Sequence, residues 1–369
     1  MSSSSRDIVL LCNPQAGGHW KALAEILDSE EAQHARRIVT DSIDDLGPAL
    51  EELGKRTELV CIYGGDGTIQ RVLDRVCRQA RARRPRFAFI GGGTMNVVAR
   101  WCGLSDTPAQ NFRSVVRAHR AGQLLFKSVP LLAVRHGAEL HHGFTFGSGP
   151  LVRLLSQFEK SSKSLVQVAN TAVRSLSAVW SKRPADYAAL VEPMQARVQI
   201  DGETLPADRF TLVFCNTTGR LFVGTDPFVE PRTRDTFHVA AYAITPREFS
   251  LMMPLLARGL LPIDPHALRS PVSAWTQAAL SFFGRGQFPT DPRYVNRPAS
   301  HLELDSPERI FTLDGEVLES DGEPISVELG PAIELAMSST VDVVPGIRLA
   351  ARIARSATDL ALGTLRRGM

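Results

Sequence analysis

The chain has 369 residues, more than a single hydrophobic core usually supports, so two domains are expected. With 44% apolar and 22% charged residues it reads as a globular protein, which excludes a disordered chain, and a net charge of +3 gives no ground for a nucleic acid partner. The five cysteines, at 12, 61, 77, 102 and 215, contain no Cys-x-x-Cys pair, which argues against a zinc site or disulfide framework and suits a reducing, cytoplasmic setting.

The polar stretch from Met1 to Asp7 runs straight into a strand and does not read as a signal peptide. Ile8 to Cys12 predicts that strand, Asn13 to Gly18 a loop, and Trp20, Leu23, Ala24 and Leu27 the inner stripe of a helix. Ile38 to Thr40 is a shorter strand candidate, followed by the helical pattern Leu46, Leu50 and Leu53. Leu59 to Tyr63 suits a strand buried on both faces, and Ile69, Val72, Leu73 and Val76 fall at helical spacing after it. Between them Gly64-Gly65-Asp66-Gly67-Thr68 forms a tight turn where backbone amides and the helix dipole favour a phosphate. Asp66 would repel that phosphate unless a metal ion, a water or a hydroxyl group lies between them. The plainer alternative is a glycine hairpin with a solvated Asp. Arg71, Arg75, Arg78, Arg81, Arg83, Arg84 and Arg86 form a basic cluster that reads as a solvated helix face and loop. A third unit follows: Phe87 to Ile90 as a strand, Gly91 to Asn96 as a glycine loop, and a short helix from Val97 that stops at Gly103. Repeated strand-loop-helix units imply a parallel sheet with all three loops on its carboxyl edge.

Near residue 126 the pattern changes to short strand candidates: Val129–Val134, Gly143–Phe146, Ala188–Val191, Ala196–Ile200, Phe210–Cys215, Phe237–Ala243, His301–Leu304, Ile310–Leu313 and Ile325–Leu329. They predict an antiparallel sandwich or open barrel. The expected division is a nucleotide-binding α/β domain at 1–126, a β-rich acceptor domain at 127–335 and a terminal segment at 336–369. Leu151 to Trp180 predicts a long amphipathic helix, and Pro246 to Asn296 a helical insertion or an apolar flap. The tail after Pro345 carries Ile347, Ile353, Leu360 and Leu365 with Arg348, Arg352 and Arg355, an amphipathic basic helix suited to a membrane surface, to its own domain or to a second subunit in a homodimer. His141 and His142 read as a surface residue and a satisfied inner one, because neighbours on a strand point to opposite faces.

Asn13-Pro14-x-x-Gly17, Gly64 to Thr68 and Gly92-Gly93-Thr94-x-Asn96 resemble, in order and spacing, the nucleotide-binding motifs of the diacylglycerol kinase catalytic family, which includes bacterial soluble lipid kinases and sphingosine kinases. Leu313-Asp314-Gly315-Glu316 resembles the family's second-domain step. The resemblance implies an α/β domain with a parallel sheet plus an antiparallel β-rich second domain. It also implies ATP and Mg²⁺ as cofactors, contacted by Asn13, Gly17, Thr40, Gly64, Gly65, Asp66, Gly67, Thr68, Gly93, Thr94 and Asn96. Glu316 would be the base taking the proton from a lipid hydroxyl, with Asp314 and Asp66 beside it, and the enzyme would work at a membrane surface. Asp-Gly-Glu recurs at Asp201, Asp314 and Asp321, and any copy suits a hairpin turn.

Two departures stand out. Met95 and Val97 replace the small and acidic residues that the family often carries around Asn96, and Asp235 alone remains of an acidic segment that can hold a second, structural Mg²⁺ in relatives. The competing readings are a regulator that binds nucleotide or lipid without turnover, and a kinase for a soluble acceptor such as NAD.

Overall fold

The computed structural model describes residues 8–14, 20–40, 50, 57–78, 84–93, 96–104, 106–150, 152–153, 155–156, 190–219, 225–264 and 289–338. In the first half, strands β1 (Ile8–Cys12), β2 (Arg36–Val39), β3 (Leu59–Tyr63) and β4 (Arg86–Phe89) are joined in parallel in the order β4-β3-β1-β2. Helices α1 (Trp20–Leu27), α2 (Asp66–Arg78), α3 (Val97–Trp101) and α4 (Pro108–Arg120) accompany them. Every residue of β1 and β3 is buried, as their unbroken apolar runs require. Each large aliphatic side chain covered there contributes roughly 1.5–3 kcal/mol before chain entropy is subtracted. Thr107 caps α4 with a Thr/Gln capping box, and Gly103, at φ +79°, ends the short helix at the position the sequence marks.

The second half begins with β5 (Leu125–His136), β6 (Glu139–Gly143) and β7 (Thr145–Ser148). It continues with β8 (Met194–Gln195), β9 (Arg197–Ile200), β10 (Glu203–Thr204), β11 (Arg209–Phe210), β12 (Leu212–Asn216) and β13 (Phe237–Tyr242), then α5 (Pro246–Leu256). It closes with β14 (Tyr294–Ala299), β15 (His301–Asp305), β16 (Ile310–Leu313), β17 (Glu316–Glu319) and β18 (Ile325–Met337). An antiparallel sheet of order β14-β13-β12-β7-β16-β17 packs Phe146, Val213, Val239 and Phe311 against Leu132, Val198, Leu302 and Val327 of β5, β9, β15 and β18. The α/β part with a parallel sheet and the separate antiparallel β-rich part are both present.

The two halves share strands. β18 pairs with β5 along its whole length and with β15 along its first part, and near its end it runs parallel to β4 through Leu335 and Phe87. Val129 and Leu131 of β5 belong to the first core, Leu132 and Val134 to the second, so a division at 126/127 falls inside this strand. Both strands exceed the sequence expectation; in β18, Gly330-Pro331 reads as an end but forms an irregularity between Leu329 and Ala332 that the ladder passes.

Other differences have similar causes. β14 arises inside the stretch read as a helical insertion; its Pro298 is tolerated because β14 is the edge of its sheet. The strand expected at Ala188–Val191 is helical at 190–191. His142 is buried, with Nδ1 3.1 Å from the Asp74 carboxylate, but His141 is half-buried rather than a surface residue, stacking on His136 with ring centroids 5.3 Å apart. Most of the helix expected over 151–180, the pattern at Leu46 and Leu53, residues 265–288 and the basic tail after Pro345 lie outside the described residues. Among the described residues no helix is long and apolar enough to cross a membrane.

Candidate active site

Parallel pairing puts the ends of β1, β2, β3 and β4 on one edge of the sheet, and the ladder carries on past them. Thr40 N–H donates to Cys12 O at 3.0 Å, Asn13 N–H to Tyr63 O at 2.9 Å, and Gly92 N–H to Gly64 O at 2.7 Å. These bonds hold the loops against one another, and only glycine fits the closest approach. A Cβ on Gly93 would stand 2.6 Å from the Gly65 Cα, and one on Gly64 would stand 2.6 Å from the Thr68 Cβ. α2 starts at Asp66, directly after Gly64-Gly65, so its amino end opens onto this edge.

The β16–β17 hairpin closes the other side of the cleft. Asp314 (φ +52°) and Gly315 (φ +91°) form the left-handed pair of a tight hairpin turn. The Asp314 carboxylate accepts from Phe144 N–H at 3.0 Å and Thr145 N–H at 2.8 Å, which fixes the hairpin to the start of β7. Glu316 then lies on the glycine turn itself: a Cβ on Gly67 would land on its carboxylate. The other two Asp-Gly-Glu copies do structural work elsewhere. Asp201 accepts from Ser300 N–H and Oγ and from His301 N–H at the β9–β10 turn, and Asp321 from Glu323 N–H.

Burial pushes Asp314 up to about 7, and the facing Asp66 carboxylate adds to the shift against the pull of the two amide donors. A folded-state value above the unfolded ~3.9 makes the protonated form the one that favours folding, so this contribution is present below about pH 4 and lost as pH rises through about 7. Asp314→Asn is therefore expected to melt at a higher temperature than the wild type above pH 7 and at the same temperature below pH 4. Parallel melting curves across that range check it, and a constant difference would mean that the Asp314 carboxylate is not under this strain.

The remaining predicted residues divide. Asn13 Nδ2 donates to Thr68 Oγ1 at 2.9 Å, across the cleft floor from Gly64, Gly65 and Gly67. Thr40 is buried and turns its hydroxyl to Cys12 O at 3.2 Å, and Asn96, at φ +49°, clamps Gly93 by accepting from its N–H and donating to its carbonyl. Their side chains shape the edge. Gly17 and Thr94 lie outside the described residues. Asp235 is exposed in a turn where Arg232 donates to the carbonyls of Thr217, Thr233 and Thr236. Among the described residues no three His, Cys, Asp or Glu gather to hold a metal ion. Three further residues at this site were not visible in the sequence. The amides of Phe144 and Thr145 carry no side-chain signal, and Arg71, 3.8 Å from Glu316, shares the face of Gly67 one helical turn later, which matters only once Glu316 is known to be there.

An alanine at position 67 would suit the helix but displace Glu316. Gly67→Ala should keep or raise the melting temperature while turnover falls on the order of tenfold. Unchanged turnover in a steady-state assay would mean that the contact between the turn and Glu316 has no part in the reaction.

Residues 7–124 match the model of the diacylglycerol kinase catalytic domain. Among solved structures, a candidate diacylglycerol kinase from Bacillus anthracis str. Sterne superposes with a TM-score of 0.59 at 16% identity, covering 92% of this chain and 99% of that one. A second such protein from the same organism gives 0.57 at 18% identity, covering 91% and 98%. No curated protein sequence matches the chain. At these identities the superpositions establish the fold across both halves. The likeness in sequence to the diacylglycerol kinase catalytic domain is carried by residues 7–124, and over the rest of the chain the likeness is one of fold alone.

Proposed function

We propose that this protein is an ATP- and Mg²⁺-dependent kinase that transfers the γ-phosphate to the hydroxyl of a lipid at a membrane surface. The observation that carries this reading is the Glu316 carboxylate held on Gly67, an acid beside a phosphate-binding turn, while Glu203 and Glu323 lie at turns elsewhere.

The residues present fit both cofactors. A cradle from which a Cβ at Gly64 or Gly93 is sterically barred lets backbone amides reach a polyphosphate. Asp66 and Asp314 are close enough for one to raise the other's hold on a proton, an arrangement a cation relieves. Two carboxylates completed by phosphate oxygens and water are an ordinary Mg²⁺ donor set, which needs no third protein ligand. When bound, Mg²⁺ neutralises the charge that develops on the phosphate oxygens. Glu316 orients the acceptor hydroxyl and takes its proton, Asp314 is held at the turn by Phe144 and Thr145, and the Gly64–Thr68 amides fix the phosphates in line. Lipid as the acceptor is supported by the family match of the first half and by Leu251 and Met253 of α5, large apolar side chains exposed to solvent.

The test is label transfer from radiolabelled ATP to diacylglycerol, monoacylglycerol, a sphingoid base and phosphatidylglycerol in micelles, with NAD as a soluble arm. Label in a lipid product is the expected result. Label in NAD alone, or phosphate release that no acceptor stimulates, would overturn the lipid reading.

A further inference from the structure

Helix α2 carries Arg71, Arg75 and Arg78 at i, i+4 and i+7, all exposed. Their surroundings differ. Arg78 donates to Asp74 at 3.0 Å and to the Leu140 carbonyl, and Asp74 is further engaged by His142 at 3.1 Å and His141 at 3.8 Å. The only acid on this part of the helix is thus turned toward β6 and compensated there. Arg71 instead stands 3.8 Å from Glu316 Oε2, too far for a hydrogen bond, with 42% of its side chain exposed. A half-exposed pair at that separation holds the guanidinium weakly and leaves most of its five N–H donors for another partner.

The position of that guanidinium identifies the partner. The phosphates belong at the amino end of α2, and Arg71 lies four residues past Gly67, about 6 Å further along the axis, with its guanidinium nearest Glu316 Oε2 while Gly67 faces Oε1. An acceptor whose hydroxyl meets Glu316 therefore brings its neighbouring atoms to Arg71, and Arg75 continues the positive strip about one turn beyond. A planar guanidinium there repels a cationic headgroup, offers nothing particular to a neutral glyceride, and pairs two N–H groups with a phosphate. Resting on the kinase reading above, we infer that Arg71, with Arg75 behind it, selects an acceptor bearing a phosphate ester next to the hydroxyl that is phosphorylated, either a hydroxylated acidic phospholipid headgroup or a free phosphate ester.

The test compares kcat/KM for phosphatidylglycerol, diacylglycerol and sphingosine at equal mole fraction in neutral-detergent micelles, with ATP and Mg²⁺, and for glycerol phosphate against glycerol in solution. The expected result is a preference of about tenfold or more for the phosphate-bearing member, reduced about tenfold in Arg71→Gln, reduced less in Arg75→Gln and largely kept in Arg71→Lys, with KM for ATP unchanged in all three. Preference within the micelle arm assigns the lipid headgroup; preference only in the soluble arm assigns the free ester. Equal losses on charged and neutral acceptors, with a correctly folded variant by circular dichroism, would make Arg71 a positioning residue for Glu316 and overturn the inference, as would a raised KM for ATP. Turnover with lipid but no charge preference in the wild type overturns it while leaving the kinase reading intact, whereas label transfer to no acceptor at all overturns both.

Discussion

Asp66→Asn is expected to fold and to lose turnover by about 10²–10³-fold, because its charge acts where the reaction develops charge. The structural cost should be small. Asp66 is the first residue of α2, where a carboxylate interacting with the helix dipole is worth no more than about 1 kcal/mol, and removing it relieves the repulsion felt by Asp314. That relief gives the variant a second, independent signature: the Asp314 titration, raised to about 7 in the wild type partly by Asp66, should move down toward the ordinary carboxylate range. Initial rates, melting temperature and a carboxyl-detected NMR titration of Asp314 measure the three effects on one sample. Turnover within threefold of wild type would remove Asp66 from the mechanism, and an unmoved Asp314 titration would mean that the two carboxylates do not face each other in solution.

Glu316→Gln is expected to lower kcat by about 10²-fold, close to 2.7 kcal/mol of barrier, with little change in KM for ATP, since a base acts on the acceptor and not on the nucleotide. Loss of its pairing with Arg71 adds little, because both side chains are over a third exposed and 3.8 Å apart. Two controls share the same local sequence. Glu203 pairs with Arg297 at 3.1 Å on an exposed edge, and Glu323 follows a turn fastened by Asp321, so Glu203→Gln and Glu323→Gln should turn over within about twofold of wild type. A larger loss at Glu323 than at Glu316 would assign the base to the wrong copy. The experiment needs all three variants with the same acceptor and saturating Mg²⁺.

The strand-turn-helix units of the first half were legible in the sequence because their causes are local. Ile8–Cys12 and Leu59–Tyr63 are apolar without interruption, the glycines at 64 and 65 permit the sharp passage from strand to helix, and the spacing of Ile69, Val72 and Leu73 is helical. From repeated units of one polarity the common edge of the three loops follows by topology alone. The length of β18, the strand at Tyr294–Ala299 and the sharing of β5 between two cores were not legible, because Pro331 and Pro298 carry the same breaker signal whether they end a strand or sit at an irregularity or an edge. The acidic half of the candidate site was likewise decided by tertiary structure. Asp201-Gly202 and Asp314-Gly315 adopt the same left-handed pair, so no local property separates the copy that serves as a turn from the copy that serves the cleft. What separates them is that Phe144 and Thr145 fasten Asp314 beside the amino end of α2, bringing Glu316 onto Gly67 and next to Arg71 across some 250 residues of intervening chain. Charge and hydrogen bonding act through space over a few ångströms, and only the packing of the second sheet on the first sets which residues come within that range.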